Sequence, residues 1–166
     1  MHTLITEPED SMKASAAWAL GQVGRHTSDH AKALTDAGAL PKLLMINLHE
    51  FASDDPQQKS KDALIAIISK CTYLPALEPL LNESPPEILE CILGQYAKVL
   101  PSDVKLRKQF MVCGGLKFIQ ELDAEPGTTI KEVVDIINTY YPQEVIRYFT
   151  PAYFDELLQK VEEYTP

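Results

Sequence analysis

The stretch AAWALGQV at residues 16–23 decides the fold prediction, because part of it returns later in the chain. LGQVGR at residues 20–25 matches LGQYAK at residues 93–98, and IAIISK at residues 65–70 keeps the same apolar positions. A fourth copy lies near residues 136–140 and can be aligned with the others in two registers that differ by one residue. Strings that return in this way indicate a repeat architecture.

The distances between the copies fit an array of helical repeats. Anchors at Leu20, Ile65, Leu93 and Ile137 are separated by 45, 28 and 44 residues. Two of these intervals match the period of about 40–47 residues that HEAT and armadillo arrays show. We interpret the short middle interval as a unit without its small first helix, because residues 72–73 lead straight into the next unit.

Helix patterns dominate the chain, and strand patterns are nearly absent. The first helix is expected from about residue 10 to residue 25, with an apolar stripe of Ala16, Ala17, Leu20 and Val23 at helical spacing. Capping residues, prolines and glycines divide the rest of the chain. We expect further helices to begin near residues 27–28, 40–41, 54–56, 84–86, 102–103, 116, 128–129, 143 and 150–151, and LPAL at 74–77 echoes the helix opening LPKL at 40–43.

Composition and charge exclude several classes of protein. The chain has 166 residues, of which 45% are apolar and 23% charged, so it can bury a core without disulfides or metals. Its net charge of −9 argues against nucleic-acid and anionic-membrane partners, because both require an excess of lysine and arginine.

The cysteines and the apolar runs predict a soluble protein of a reducing compartment such as the cytoplasm. Cys71, Cys91 and Cys113 are odd in number and widely spaced, which suits neither a disulfide framework nor a thiolate metal site. No apolar run approaches the ~18 residues that span a bilayer. The N-terminus lacks the basic and apolar regions of a signal peptide.

Two strings carry a family resemblance. AAWALGQV at residues 16–23 resembles the third-helix signature of armadillo repeats, and GALPKLL at residues 38–44 resembles the turn between their first and second helices. The resemblance implies an all-α, armadillo-type right-handed superhelical solenoid of about three to four repeats with a C-terminal helical cap. We expect a single domain over residues 1–166, with an extension at about 1–10, repeats over 11–142 and the cap over 143–166.

A closer resemblance extends over strings at residues 15–25, 70–79, 98–101, 124–127 and 147–151. These strings resemble the C-terminal part of the sperm-associated antigen six family, armadillo proteins of the axonemal central pair in flagella and motile cilia. The resemblance implies a C-terminal fragment of a longer array, or a short paralogue. It also implies a location in the axonemal cytoskeleton, partners in the central apparatus, and a role in central-pair assembly and motility.

An import-type adaptor for linear peptides is the alternative function. Armadillo proteins that bind extended peptides line a concave groove with repeated Trp and Asn, and Trp18 and Gln22 stand one turn apart on one face of the first unit. The aligned positions of the later units hold Ala63, Ile67, Cys91 and Gln95. The missing ladder argues against this alternative and favours an ordinary concave face or an inter-repeat contact. An enzyme-regulatory subunit on the same stack is a third hypothesis.

A basic ridge follows the third copy of the repeated string. It consists of Lys98, Lys105, Arg107 and Lys108, and Asp103 is the one acid among them. The ridge is predicted either to contact an acidic partner such as a tubulin tail, or to be a solvated helix face. The candidate partner-binding residues are therefore Trp18, Gln22, Arg25, Gln95, Lys98, Lys105, Arg107 and Lys108.

The two ends of the chain offer further surfaces. No preceding unit covers the apolar face of the first helix, so we expect self-association through this face, or residues 1–9 folded over it. The last helices are expected to form an amphipathic cap with an exposed docking rim. The apolar residues of that cap are Tyr148, Tyr153, Phe154, Leu157, Leu158 and Val161.

Patterns of catalytic chemistry are not found in the sequence. There is no nucleophile elbow, no phosphate-binding glycine loop and no His-Glu-x-x-His. His26 and His30 stand four residues apart, but a zinc site needs about four ligands, and no third ligand lies nearby in sequence. We therefore expect a protein that is not an enzyme and that has no cofactor or metal.

Overall fold

The computed structural model describes residues 3–49 and 53–163. Within these ranges the chain is helical and contains no strand, which confirms the all-α prediction. The number of repeats and the handedness of a superhelix stay predictions. The α-helices are α1 (Thr3–Gly24), α2 (Ser28–Asp36), α3 (Ala39–Asn47), α4 (Asp54–Ile68), α5 (Pro86–Val99), α6 (Val104–Val112), α7 (Gly115–Glu121), α8 (Thr129–Asn138), α9 (Gln143–Phe149) and α10 (Pro151–Glu162).

The chain divides into two compact units, Met1–Gln95 and Tyr96–Pro166. The first unit contains α1 to α4 and most of α5, and the second contains the end of α5 together with α6 to α10. The prediction of one domain with a separate cap from residue 143 stays a prediction.

In the first unit, α1 packs closely against α4 through its smallest residues. The buried positions of α1 include Ala14, Ala17, Gly21 and Gly24, at alternating spacings of three and four. A Cβ added to Gly21 would lie 3.0 Å from the Cα atom of Ala63, so a larger residue at this position would push the two backbones apart. Residues with larger side chains cannot occupy such a contact without moving the two helices apart.

This contact corrects the predicted stripe of α1. Ala17 is buried as expected and Leu20 is half-buried, whereas Ala16 and Val23 are exposed. The prediction ranked positions by apolar character, but the approach of two backbones selects for small size. The buried face of α1 is therefore rotated away from the predicted stripe.

The first helix also begins earlier than predicted, at Thr3. Glu9 and Lys13 pair at 3.0 Å one turn apart, and Asp10 accepts a hydrogen bond of 3.1 Å from the Ser53 N–H. These contacts stabilise the N-terminal half of α1. Because residues 3–9 continue the helix, they do not fold back over its face, which corrects that expectation, and residues 1–2 lie outside the described residues.

Most other helix boundaries agree with the capping signals. The Thr27 hydroxyl accepts from the His30 N–H at 3.2 Å, and the Asp103 carboxylate accepts from the Lys105 N–H at 2.7 Å. Gly38 has φ of +71° between α2 and α3, in the left-handed region that favours glycine. These local signals fix where the short helices begin and end.

The segment after α4 differs from the prediction that LPAL repeats the helix opening LPKL. It forms two short 3₁₀ helices, Leu74–Ala76 and Glu78–Leu80, in place of an α-helix. Pro79 has no N–H to donate to the carbonyl of Pro75, so an α-helical turn cannot close here. Leu74, Leu77 and Leu80 nevertheless remain buried in the core.

The core of the second unit is built around aromatic residues. The rings of Tyr96 and Phe110 pack with centroids 4.6 Å apart. The Tyr140 hydroxyl donates to the Ala97 carbonyl at 3.0 Å, and the Tyr141 hydroxyl donates to the Arg107 carbonyl at 3.0 Å. These two hydrogen bonds tie the end of α8 to α5 and to α6.

Candidate interaction surfaces

Three of the predicted site residues lie together in one shallow pocket between α1 and α4. Trp18, Gln22 and Arg25 follow each other at spacings of four and three, which places them on one face of the chain near the end of α1. The pocket has a volume of about 140 Å³. It is lined by Trp18, Gly21, Gln22, Arg25, Lys59, Asp62 and Ala63, and we call it the Trp18 pocket.

The Trp18 pocket combines an aromatic wall with charged groups. Trp18 is 54% exposed, although it adjoins the buried contact of α1 with α4. Asp62 accepts a hydrogen bond of 2.8 Å from the Gln58 side chain on the same helix, while Arg25 and Lys59 supply two cations. This arrangement suits a short polar or acidic segment that stacks on the indole ring.

Gln95 does not belong to this surface, which corrects its assignment as a partner-binding residue. It is 5% exposed, and its Nε2 atom donates a hydrogen bond of 2.6 Å to the Cys71 carbonyl. The matching strings placed Gln95 at the position of Gln22, but the segment after α4 covers this part of α5. Gln95 therefore holds the core together.

The other aligned positions also lack a peptide-binding ladder. Ala63 lines the Trp18 pocket with a small side chain, and Ile67 is buried. Neither offers the amide group that hydrogen-bonds a peptide backbone. Among the aligned positions Gln22 is thus the one accessible amide, because Gln95 is buried, and the import-type alternative lacks a row of exposed Asn or Gln side chains.

The basic ridge separates into exposed lysines and one anchored arginine. Lys98, Lys105 and Lys108 are exposed. Arg107 is half-buried and donates to the Leu100 and Pro101 carbonyls at 3.4 and 3.2 Å. Arg107 therefore closes a short 3₁₀ helix, Leu100–Ser102, that precedes α6. The three lysines form the accessible part of the ridge.

A larger apolar hollow lies between α7, α9 and α10, where the sequence predicted a docking rim. Tyr148 is 65% exposed, and Leu157 and Leu158 are also exposed, whereas Tyr153 is half-buried. The side chains of Phe154 and Val161, which the same prediction included, lie outside the described residues. The hollow has a volume of about 710 Å³ and we call it the aromatic groove.

Comparison with known proteins gives a specific match. No family model matches the chain. Sperm-associated antigen 6 from Homo sapiens is 52% identical over 163 residues, and so is that from Mus musculus. The chain resembles a C-terminal part of sperm-associated antigen 6. The alignment covers 98% of this chain and 32% of each sperm-associated antigen 6, so the chain spans about a third of the length of these relatives.

A likeness to a solved structure supports the helical fold. The crystal structure of an engineered protein matches with a TM-score of 0.52, over 89% of this chain and 64% of that chain. The two sequences are 18% identical, so the likeness concerns the fold alone. The arrangement of helices is consistent with an α-solenoid.

The described residues do not assemble a metal site or a membrane span. Across residues 3–49 and 53–163, no three His, Cys, Asp or Glu side chains are grouped as metal ligands. The rings of His26 and His30 lie near each other, with centroids 5.8 Å apart. None of the helices in this part of the chain combines the length and apolarity needed to cross a membrane.

The three cysteines differ in their solvent exposure. Cys71 is buried, Cys91 is half-buried and Cys113 is exposed. Burial raises the pKa of the Cys71 thiol, which donates a hydrogen bond of 3.4 Å to the Tyr73 carbonyl. Cys71 is therefore a core residue with an unreactive thiol.

Proposed function

We propose that the chain is a non-catalytic protein–protein interaction scaffold of the central-pair apparatus in the flagellar or ciliary axoneme, needed for its assembly and for motility. The observation that carries this proposal is the 52% identity to sperm-associated antigen 6 across 98% of the chain. Identity at this level, spread over both compact units, supports a shared flagellar role and a cytoskeletal location.

The packing of the first unit supports a scaffold role. The contact of Gly21 with Ala63 fixes α1 against α4, so the walls of the Trp18 pocket are held by a close helix–helix packing. A preformed surface loses little conformational entropy on binding. We assign the Trp18 pocket as one partner-binding surface, with Trp18 as the aromatic anchor.

The lysines of the basic ridge form a second partner-binding surface in this proposal. Among the residues that the structure describes, no carboxylate lies within ion-pair distance of Lys105 or Lys108. Such lysines are available to an acidic partner, including an acidic tubulin tail, and each well-placed contact contributes up to about 1 kcal/mol at low salt.

A third part of the proposal is self-association through α1. Met12 and Val23 are 73% and 43% exposed, and with Ala16 and Ala19 they form an apolar row on α1 outside the contact with α4. Helices with small residues in such a row pack closely against one another. Sedimentation of a Met12→Lys, Val23→Lys double variant tests this part: dimers that persist in the variant would contradict it.

Affinity purification from flagellated cells tests the proposed function. The tagged chain is expected to enrich proteins of the axonemal central apparatus, and a Trp18→Ala variant is expected to lose part of that set. A Tyr73→Ala variant serves as a matched control, because Tyr73 is also an exposed aromatic residue. Enrichment of nuclear-import cargo or of enzyme subunits in place of axonemal proteins would contradict the proposal.

A further inference from the structure

The aromatic groove in the second unit is a large apolar hollow. The residues that form it differ from those of the Trp18 pocket and of the basic ridge. It lies between α7, α9 and α10 and has a volume of about 710 Å³. A second hollow of about 340 Å³ shares Tyr148 and Phe149 with it, so the two are adjacent. The residues that line the aromatic groove are Lys117, Glu121, Tyr148, Phe149, Thr150, Pro151, Tyr153, Asp155 and Leu157.

The aromatic wall of this groove is held in place by several contacts. The Phe149 ring meets the Tyr148 ring edge-on at 5.2 Å between centroids, and the Tyr153 ring lies 5.9 Å from the Tyr148 ring. The Arg147 guanidinium lies 5.6 Å from the Tyr153 ring centroid and pairs with Glu156. Tyr148 is thus fixed by its neighbours and still 65% exposed. An exposed, fixed aromatic residue beside an apolar hollow is typical of a binding surface.

The surroundings of the groove are acidic. Residues 121–166 contain ten acidic and three basic side chains. Two cations beside the groove are already paired, Lys117 with Glu121 at 3.6 Å and Arg147 with Glu156. The carboxylates of Glu144 and Asp155, which line the two hollows, are exposed. Charge complementarity therefore favours a partner with lysine or arginine beside its apolar residues.

We propose that the aromatic groove binds an amphipathic helix of another protein, with apolar residues on one face and basic residues at its edges. A helix fits better than an extended strand, because the second unit offers no strand edge among its described residues. Apolar residues at spacings of three and four would insert between Tyr148 and Leu157. The basic residues would then face Glu144 and Asp155. The groove shares no residue with the Trp18 pocket or the basic ridge, so the inference does not depend on the function proposed above.

Three synthetic peptides test the inference on the full 166-residue chain. The first carries leucines at helical spacings of three and four, with lysine at the polar positions. The second has glutamate in place of lysine, and the third has the composition of the first in a scrambled order without an apolar face. Fluorescence anisotropy is expected to show that the first peptide binds roughly 10-fold or more tightly than either of the others, since apolar and charge contacts are both required.

Matched variants locate the binding site. Tyr148→Ala is expected to weaken binding of the basic amphipathic peptide by roughly 10-fold or more, while Tyr73→Ala leaves it unchanged. Glu144→Lys with Asp155→Lys is expected to weaken binding and to reduce its salt dependence. Glu125→Lys with Glu132→Lys makes the same change in net charge at exposed positions outside the groove, and is expected to have little effect.

Several results would overturn the inference. Equal binding of the scrambled basic peptide would show that charge alone is responsible. Equal binding of the acidic peptide, or no binding of the basic amphipathic peptide at its highest soluble concentration, would exclude the proposed partner. A dimer of the chain that Tyr148→Ala abolishes would show that the groove holds a second copy instead.

Discussion

The Nε2 atom of Gln95 donates a hydrogen bond of 2.6 Å to the main-chain carbonyl of Cys71, inside the core of the first unit. This bond joins α5 to the segment that follows α4. It satisfies a carbonyl at the end of the helical region, where no further helix supplies an N–H. The segment between α4 and the first 3₁₀ helix thus depends on a side chain for part of its hydrogen bonding.

We predict that Gln95→Ala lowers the free energy of unfolding by about 2 kcal/mol, because it leaves the Cys71 carbonyl buried without a partner and opens a cavity. Gln22→Ala removes the equivalent side chain of the first repeat, which is half-exposed, and is expected to change stability by about 0.5 kcal/mol or less. Urea denaturation of both variants checks this prediction. Equal losses would contradict the structural role of Gln95.

Two glycine substitutions test the contact of α1 with α4. Gly21→Ala adds a Cβ that would lie 3.0 Å from the Ala63 Cα, and is expected to destabilise the chain by about 1–3 kcal/mol. The Cβ that Gly94→Ala adds to α5 would have no other atom within 4 Å. The better helix propensity of alanine is therefore expected to stabilise the chain by about 1 kcal/mol. Thermal unfolding measures both. A stabilising Gly21→Ala would show that α1 does not approach α4 closely.

From the raised pKa of the Tyr141 hydroxyl we predict that the protein loses stability at alkaline pH. Burial raises the pKa of Tyr141 to about 12, and nearby Arg107 opposes this shift. Between about pH 10 and pH 12 the unfolded chain releases this proton while the folded chain keeps it, so the free energy of unfolding falls as pH rises. Below about pH 10 the contribution is fully present.

Tyr141→Phe is the control for this pH dependence. It removes the titrating group and the hydrogen bond to the Arg107 carbonyl, so stability at neutral pH is expected to fall by about 1 kcal/mol. The decrease in the free energy of unfolding that Tyr141 causes at alkaline pH should be absent in this variant. Denaturation series from about pH 9 to about pH 11.5, which span the ordinary pKa of a tyrosine hydroxyl, measure the difference between the two proteins. If the free energies of unfolding of the two proteins fell equally with rising pH, the assignment of this pH dependence to Tyr141 would be contradicted.

Charge reversal tests the basic ridge. Lys105→Glu with Lys108→Glu is expected to weaken binding of a glutamate-rich peptide by roughly 10-fold at low salt and to flatten the salt dependence. Arg107 is left in place, because it holds the carbonyls before α6. Lys42→Glu with Lys70→Glu makes the same charge change at exposed positions of the first unit. Equal effects of the two pairs would mean that net charge, and not the ridge, controls binding.

The sequence predicted the parts of the fold that depend on local signals. Thr27, Asp103 and Thr128 cap helices as their residue types require, and their hydroxyl or carboxylate oxygens accept the expected backbone hydrogen bonds. The left-handed conformations of Gly38 and Gly114 were also predictable, because each follows a short helix and precedes another.

The features that sequence did not predict depend on contacts between distant residues. The buried face of α1 was misplaced because its contact selects for small residues, and Gln95 was misassigned because matching strings do not show what covers them. An exposed docking rim on the last helices was predicted, but the hollow that Tyr148 and Leu157 line depends on where α9 and α10 lie against α7.

Localisation in a motile flagellum tests the central claim most directly. A tagged form of the chain, expressed in flagellated cells, should remain with the axoneme after detergent extraction. Immunoelectron microscopy should place it on the central pair, and axonemes that lack the central pair should not retain it. Complete extraction with the soluble fraction, or equal retention in axonemes without a central pair, would contradict the proposed function.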